Sequence, residues 1–189
     1  MTRFKEGILS SAFYIFALLA VIASFSACTH PTPAKHPAEV VEIPGLAFSI
    51  RISAFPEQHG GFVAGAYYRF ESLPKDGKNW VTAMDFRHDD PVPLPRQNVR
   101  FLTSDAAFVY MGWKYAVTTD GGKHWQIWNA EKDLPGWQCC NYSLIKKVEL
   151  GENGNGKMIF SPIPGRPAEF PEMITSDFGY HWSRPQPHD

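Results

Sequence analysis

The sequence predicts a mostly β chain whose antiparallel sheets are built from hairpin units. Three observations carry this. Aromatic residues make up 14% of the chain, and beyond the first 44 positions they fall in short runs bounded by Gly, Pro, Asn and Asp, the punctuation of strands and turns. Apolar residues at helical spacing do not persist there over a useful length. One eight-residue pattern also occurs twice, as Thr118-Thr119-Asp120-Gly121-Gly122-Lys123-His124-Trp125 and as Thr175-Ser176-Asp177-Phe178-Gly179-Tyr180-His181-Trp182. Both copies read Thr, any residue, Asp, any residue, Gly, two residues, Trp. Each follows strand-like residues, Tyr115 to Val117 in the first and Met173-Ile174 in the second. The chemistry of a hairpin turn accounts for the pattern: the Asp carboxylate accepts backbone N–H groups inside the turn, and the Gly takes a positive φ. The Trp of the returning strand then covers the turn.

The chain opens with Arg3 and Lys5, followed by an apolar run from Ile8 to Ala23. That run is short for a membrane span and is flanked as a secretory signal is, which assigns residues 1–27 to a signal peptide. It ends in Phe25-Ser26-Ala27-Cys28, which resembles a bacterial lipobox, with Phe25 where the pattern prefers Leu. The resemblance implies acylation of Cys28 and cleavage before it. Thr29, rather than Asp, follows the cysteine, which implies sorting to the outer membrane, facing the periplasm. Residues 28–44 carry Pro31, Pro33, Pro37 and Pro44 with little to bury, and are expected to be a tether. The remaining residues 45–189, roughly 145, suit a single domain with its own core.

Within that domain, Leu46 to Ser53 alternates apolar and polar residues and is expected as a strand. Phe62 to Glu71 is a second, with Tyr67 and Tyr68 on opposite faces. After a turn at 74–78, Trp80 to Phe86 is a third. Arg87 to Gln97, with three prolines and clustered charges, is expected as an irregular surface loop. Short strands follow at Val99 to Leu102, Ala107 to Met111 and Lys114 to Thr118, leading into the first repeated turn and a return strand at His124 to Trp128. Glu131 to Gly136 reads as a loop. Tyr142 to Leu150 and Lys157 to Phe160 flank a glycine- and asparagine-rich hairpin turn. A proline-rich segment at 162–171 precedes the second repeated turn.

The repeated turn resembles the Asp-box hairpin of sialidases and related β-propellers, in which the motif is structural and lies away from the catalytic centre. The two aspartates stand about 57 residues apart, close to the length of one four-stranded blade. Roughly 145 residues hold about three such units, whereas a closed propeller needs four or more. The expected architecture is therefore a sandwich or an incomplete-propeller-like stack of blade-like hairpin units, with no closed propeller.

The net charge of −1 with mixed signs argues against nucleic acid as a partner. Cys139 and Cys140 are adjacent, in a chain expected in an oxidising compartment. Their alternatives are a strained vicinal disulfide, a bond to a partner, or one buried thiol beside an incidental neighbour. No cysteine or histidine spacing fits zinc, and no metal or cofactor is expected. His124 and His181 occupy equivalent places in the two repeats, which points to a solvent-facing position set by the repeat. The Asp85-Phe86-Arg87-His88-Asp89-Asp90 cluster reads as a solvated loop. No nucleophile elbow, phosphate loop or defensible acid–base pair is present. The arginine triad of a sialidase centre cannot be placed either, so no catalytic residue is assigned.

A second resemblance covers more of the chain. The lipobox, the Tyr115–Trp128 run, Cys139-Cys140-Asn141-Tyr142 and the closing Ser176–Trp182 occur in this order. Together they resemble the immunity lipoproteins that accompany type VI secretion phospholipase effectors. The resemblance implies a protein without enzymatic activity, held to the membrane by its lipid and binding a lipase effector in the periplasm. Trp113, Trp128, Trp137 and Tyr142, with the 87–97 loop, are the candidate partner-binding groups, since aromatic residues anchor interfaces. A glycan- or envelope-binding module is the alternative, suggested by the sialidase-like hairpins and the six tryptophans. A remnant hydrolase is disfavoured by the missing acid–base pair.

Overall fold

Strand alternation is strongest in the first third of the folded region, and the longest strands form there. The computed structural model describes residues 32–33, 35–59, 62–89, 92–134, 144–161 and 172–186. In it β3 (Phe48–His59) and β4 (Phe62–Pro74) pair along their whole length as an antiparallel arm. Phe48, Ile50 and Ile52 of β3 are buried, as are Ala66, Tyr68, Phe70 and Ser72 of β4, while the residues between them are partly exposed. This is the two-residue period of a sheet with one covered face. β5 (Val81–His88) adds to β4, and β1 (Thr32–Pro33) and β2 (Glu39–Pro44) both pair with β3.

Residues 39–44 correct the expected tether. They form a six-residue strand in register with Ser49–Ala54. Val41 is buried and Ile43 packs on the same core, so the apolar alternation outweighs the proline at the strand's end. Even Thr32 and Pro33 pair, with Gln58 and Glu57. An edge strand tolerates proline, because its outward N–H has no ladder partner to lose.

The second sheet runs in chain order, from β6 (Val99–Phe101) and β7 (Ala107–Met111) to β8 (Lys114–Thr118) and β9 (Gln126–Asn129). The third is β10 (Ile145–Leu150), β11 (Gly156–Phe160) and β12 (Glu172–Thr175), extended by a bridge between Ile174 and Ser183. All three sheets are antiparallel, and among the described residues none closes into a barrel. The second sheet lies between the other two. Ala107, Val109, Met111 and Ala116 join Ile50, Phe70 and Met84 of the first sheet in one core. Phe108, Tyr110, Tyr115 and Val117 join Met158, Phe160 and Met173 of the third in another. Burial on both faces explains why β7 reads Ala-Phe-Val-Tyr-Met without a polar residue.

Two expected loops carry more order than their composition suggests. Ala130–Asp133 is a single helical turn, α1, capped by Asn129, whose side chain accepts the Glu131 N–H at 3.0 Å. In the 87–97 segment, Arg87 and His88 belong to β5, and Leu94 is buried. The Tyr68 hydroxyl lies 2.6 Å from both the N and the O of Val92, pinning that segment to the sheet. Arg87 pairs with the buried Glu57 at 2.8 Å and with Asp89.

Candidate functional site

The two Asp-box-like turns have nearly the same internal geometry. In the first, the Thr118 hydroxyl donates to Asp120 Oδ1 at 2.9 Å and accepts the Gly122 N–H at 3.1 Å. Asp120 Oδ1 also accepts the N–H groups of Lys123 and His124 at 3.1 and 3.0 Å. In the second, Thr175 donates to Asp177 at 2.8 Å and accepts from Gly179 at 3.0 Å, and Asp177 accepts the His181 N–H at 3.0 Å. Gly121 and Gly122 have φ of 73° and 78°, and Phe178 and Gly179 have 62° and 82°. Phe178 thus holds a left-handed conformation that costs a non-glycine residue energy. Its ring, packed on the second core and close to Gly154, offsets that cost.

Each aspartate also meets a histidine, with Nδ1 of His124 and of His181 2.6 Å from Oδ2 of Asp120 and Asp177. Burial pushes both carboxyls up, but the backbone and ring bonds from the histidine and the threonine hydroxyl outweigh it and hold both below the usual carboxylate range. An Asp–His pair invites comparison with an acid–base dyad. Ser176 and Ser183 even line a shallow hollow of about 210 Å³ beside His181. Among the described residues, however, no hydrogen bond joins either serine to His181, the contact that nucleophile activation requires. The same pair recurs in the first turn, with histidine side chains 88% and 91% exposed. The pairs brace turns.

Both turns are then consumed by packing. A Cβ on Gly122 would lie 2.8 Å from the Phe48 ring and 2.9 Å from Ser72 Cβ. Ser72 donates to the Gly122 carbonyl at 2.6 Å and accepts from the Trp125 indole at 2.9 Å. Gly179 sits as tightly on the Tyr115 ring, whose hydroxyl donates to the Phe178 carbonyl at 2.7 Å. Burial drives the Tyr115 phenol well above its ordinary range. Trp182 meets the same ring edge-on at 5.4 Å. Each turn therefore docks on the sheet before its own, and a bond of 2.8 Å between the Thr119 and Tyr180 hydroxyls joins the two turns.

The expected partner-binding aromatics fare differently. Trp128 is 5% exposed and belongs to the second core, so it is a packing residue and cannot anchor a partner at the surface. Trp113 is partly buried between the two cores and meets Phe86 at 4.9 Å. Trp137, Tyr142, Cys139, Cys140 and Cys28 lie outside the described residues. Among the described residues no group of three or more His, Cys, Asp or Glu is placed to hold a metal ion.

What the structure adds is a cleft of about 850 Å³ where the first strands of the second and third sheets, β6 and β10, come together. Its floor is apolar, formed by Phe101, Leu102, Phe108, Val148 and Leu150. Arg100, Lys147 and Lys157 line it against a single carboxylate, Glu149. Glu149 is held by both lysines, which keep its carboxyl low, while the Arg100 side chain makes no hydrogen bond or ion pair among the described residues. The cleft opens at the turn-bearing end of the sheets. Phe101 pairs with Ala107, which pairs with Thr118 of the first turn, and Gly156 pairs with Thr175 of the second.

No family model, characterised protein or solved structure matches the chain. Assignment of a role therefore rests on the residues themselves.

Proposed function

We propose that this protein is a lipid-anchored, periplasm-facing lipoprotein that binds and neutralises a phospholipase effector of a type VI secretion system. The order of the lipobox, the two Asp-box-like turns and the Cys-Cys-Asn-Tyr segment supports the family resemblance. The observation that carries the reading to a surface is the cleft between β6 and β10. An apolar floor with three cations against one carboxylate suits an extended acidic segment of a partner protein bearing apolar side chains. Among the described residues both flanking strands are sheet edges, whose outward backbone groups can pair with such a segment. Binding is the whole activity in this reading. The glycan-binding alternative has weaker support. Among the described tryptophans Trp128 and Trp182 are buried, Trp113 and Trp125 pack on the first core, and Trp80 has its face covered by the Arg51 guanidinium at 4.0 Å.

The test is a titration of the full-length lipoprotein into the phospholipase it captures from lysate of its own source strain. Activity should fall to background at stoichiometric inhibitor. Reversing Arg100 and Lys157 together to Glu should weaken inhibition roughly tenfold or more and flatten its salt dependence. A captured lipase that stays fully active in excess lipoprotein would sink the reading.

A further inference from the structure

We propose that the free end of the β3–β4 arm is a membrane-contacting surface, and that it seats in the phospholipid headgroup layer. The inference rests on the lipoprotein reading of Cys28 and adds to it which part of the domain meets the bilayer.

Phe62, Val63 and Ala64 stand in succession at the start of β4, all exposed, Phe62 at 80% and Val63 at 53%. A hairpin end in water is ordinarily polar, because three adjacent apolar residues there gain nothing from folding. The course of the N-terminal chain gives the patch an occupant. Thr32 pairs with Gln58, and Gln58 pairs with Val63, so the three lie in one row across the sheet. Neighbouring strands are about 4.8 Å apart, which places Val63 roughly 10 Å from Thr32. β1 is antiparallel to β3, so stepping back from Pro33 to Thr32 runs alongside β3 from Glu57 to Gln58, toward the free end of the arm. Only four peptide steps separate Thr32 from Cys28, at most roughly 14 Å at full extension.

A cysteine anchored by acyl chains sits at the interface itself. Its short reach then brings the end of the arm into the headgroups. The expected long tether would have left the domain free to tumble; the pairing of β1 removes that freedom. Seating is confined to the interfacial layer, since the unpaired backbone of a hairpin end is excluded from hydrocarbon. The turns and the cleft lie beyond the opposite end of the arm. Ser72, which touches Gly122, is nine residues along β4 from Val63, roughly 30 Å. The cleft accordingly faces the periplasm.

The experiment uses the full-length acylated protein in vesicles of phosphatidylethanolamine and phosphatidylglycerol doped with a phospholipid bearing a diazirine on its headgroup. After irradiation, mass spectrometry locates the lipid adducts, and the intact mass reports whether Cys28 is acylated. The expected result is an adduct on the peptide containing residues 62–64, lost in the Phe62→Ser, Val63→Ser variant while its melting temperature and acylation are unchanged. An acylated protein with no adduct at 62–64, with equal adduct in the variant, or with those residues crosslinked to a second copy of the chain overturns the membrane assignment alone. An intact mass without acyl chains overturns the lipoprotein reading and this inference with it.

Discussion

Ser72 holds more of the structure than its size suggests. It is fully buried in β4, yet its hydroxyl serves the Gly122 carbonyl and the Trp125 indole of a turn some fifty residues later. Ser72→Ala strands a buried acceptor and a partly buried donor together, and should cost about 1–3 kcal/mol in chemical denaturation. The aspartates of the two turns make a different prediction. Their folded-state pKa values are depressed, so the stability they contribute is complete above the ordinary carboxylate value and is lost as pH falls through the lowered one. The melting temperature should therefore drop steeply below about pH 4, and less steeply in Asp120→Asn, Asp177→Asn. Equal acid sensitivity in the two proteins would show that these carboxylates are unperturbed. Of this chemistry the backbone bonds of the aspartates were legible in the sequence, because the Thr-x-Asp-x-Gly spacing is itself the hydrogen-bond pattern. The Asp–His contact was not, since an i,i+4 pair inside a turn has no periodicity to announce it. Nor were Ser72 and Tyr115, which reach the turns only through tertiary packing.

At the scale of elements, β7 and β8 show what covering both faces of a sheet demands. Ala116 packs toward the first sheet while Tyr115 and Val117 face the third. Small and large residues therefore alternate within one strand to suit two different neighbours. Ala116→Leu has no open side to expand into and should destabilise by about 1–3 kcal/mol. An unchanged midpoint of denaturation would mean that the first core holds slack there. Strands β3 to β8 were legible to within a few residues, except at the far ends of the β3–β4 arm, because alternation and turn residues agree along them. β2 was hidden by composition, since prolines read as a tether while Val41 and Ile43 kept the strand period. α1 was hidden by length, as four residues give no helical repeat. The cleft belongs to no single element. It forms where two sheet edges converge, and only the alternating Lys147-Val148-Glu149-Leu150 of β10 hinted at a surface both apolar and charged.

Across the whole molecule the rule of assembly is directional: each sheet supplies the bed on which the turn of the next one lies. That direction bears on how the protein is made. The chain emerges from the ribosome N-terminus first, and the last described residues deliver Gly179 and Trp182 onto Tyr115. Until they arrive, the Tyr115 ring lacks the cover of Gly179 and Trp182, and the second core, already joined by Met158, Phe160 and Met173, is incomplete. The second core therefore closes only after both sheets that it joins have been synthesised, once Gly179 and Trp182 have followed them out of the ribosome.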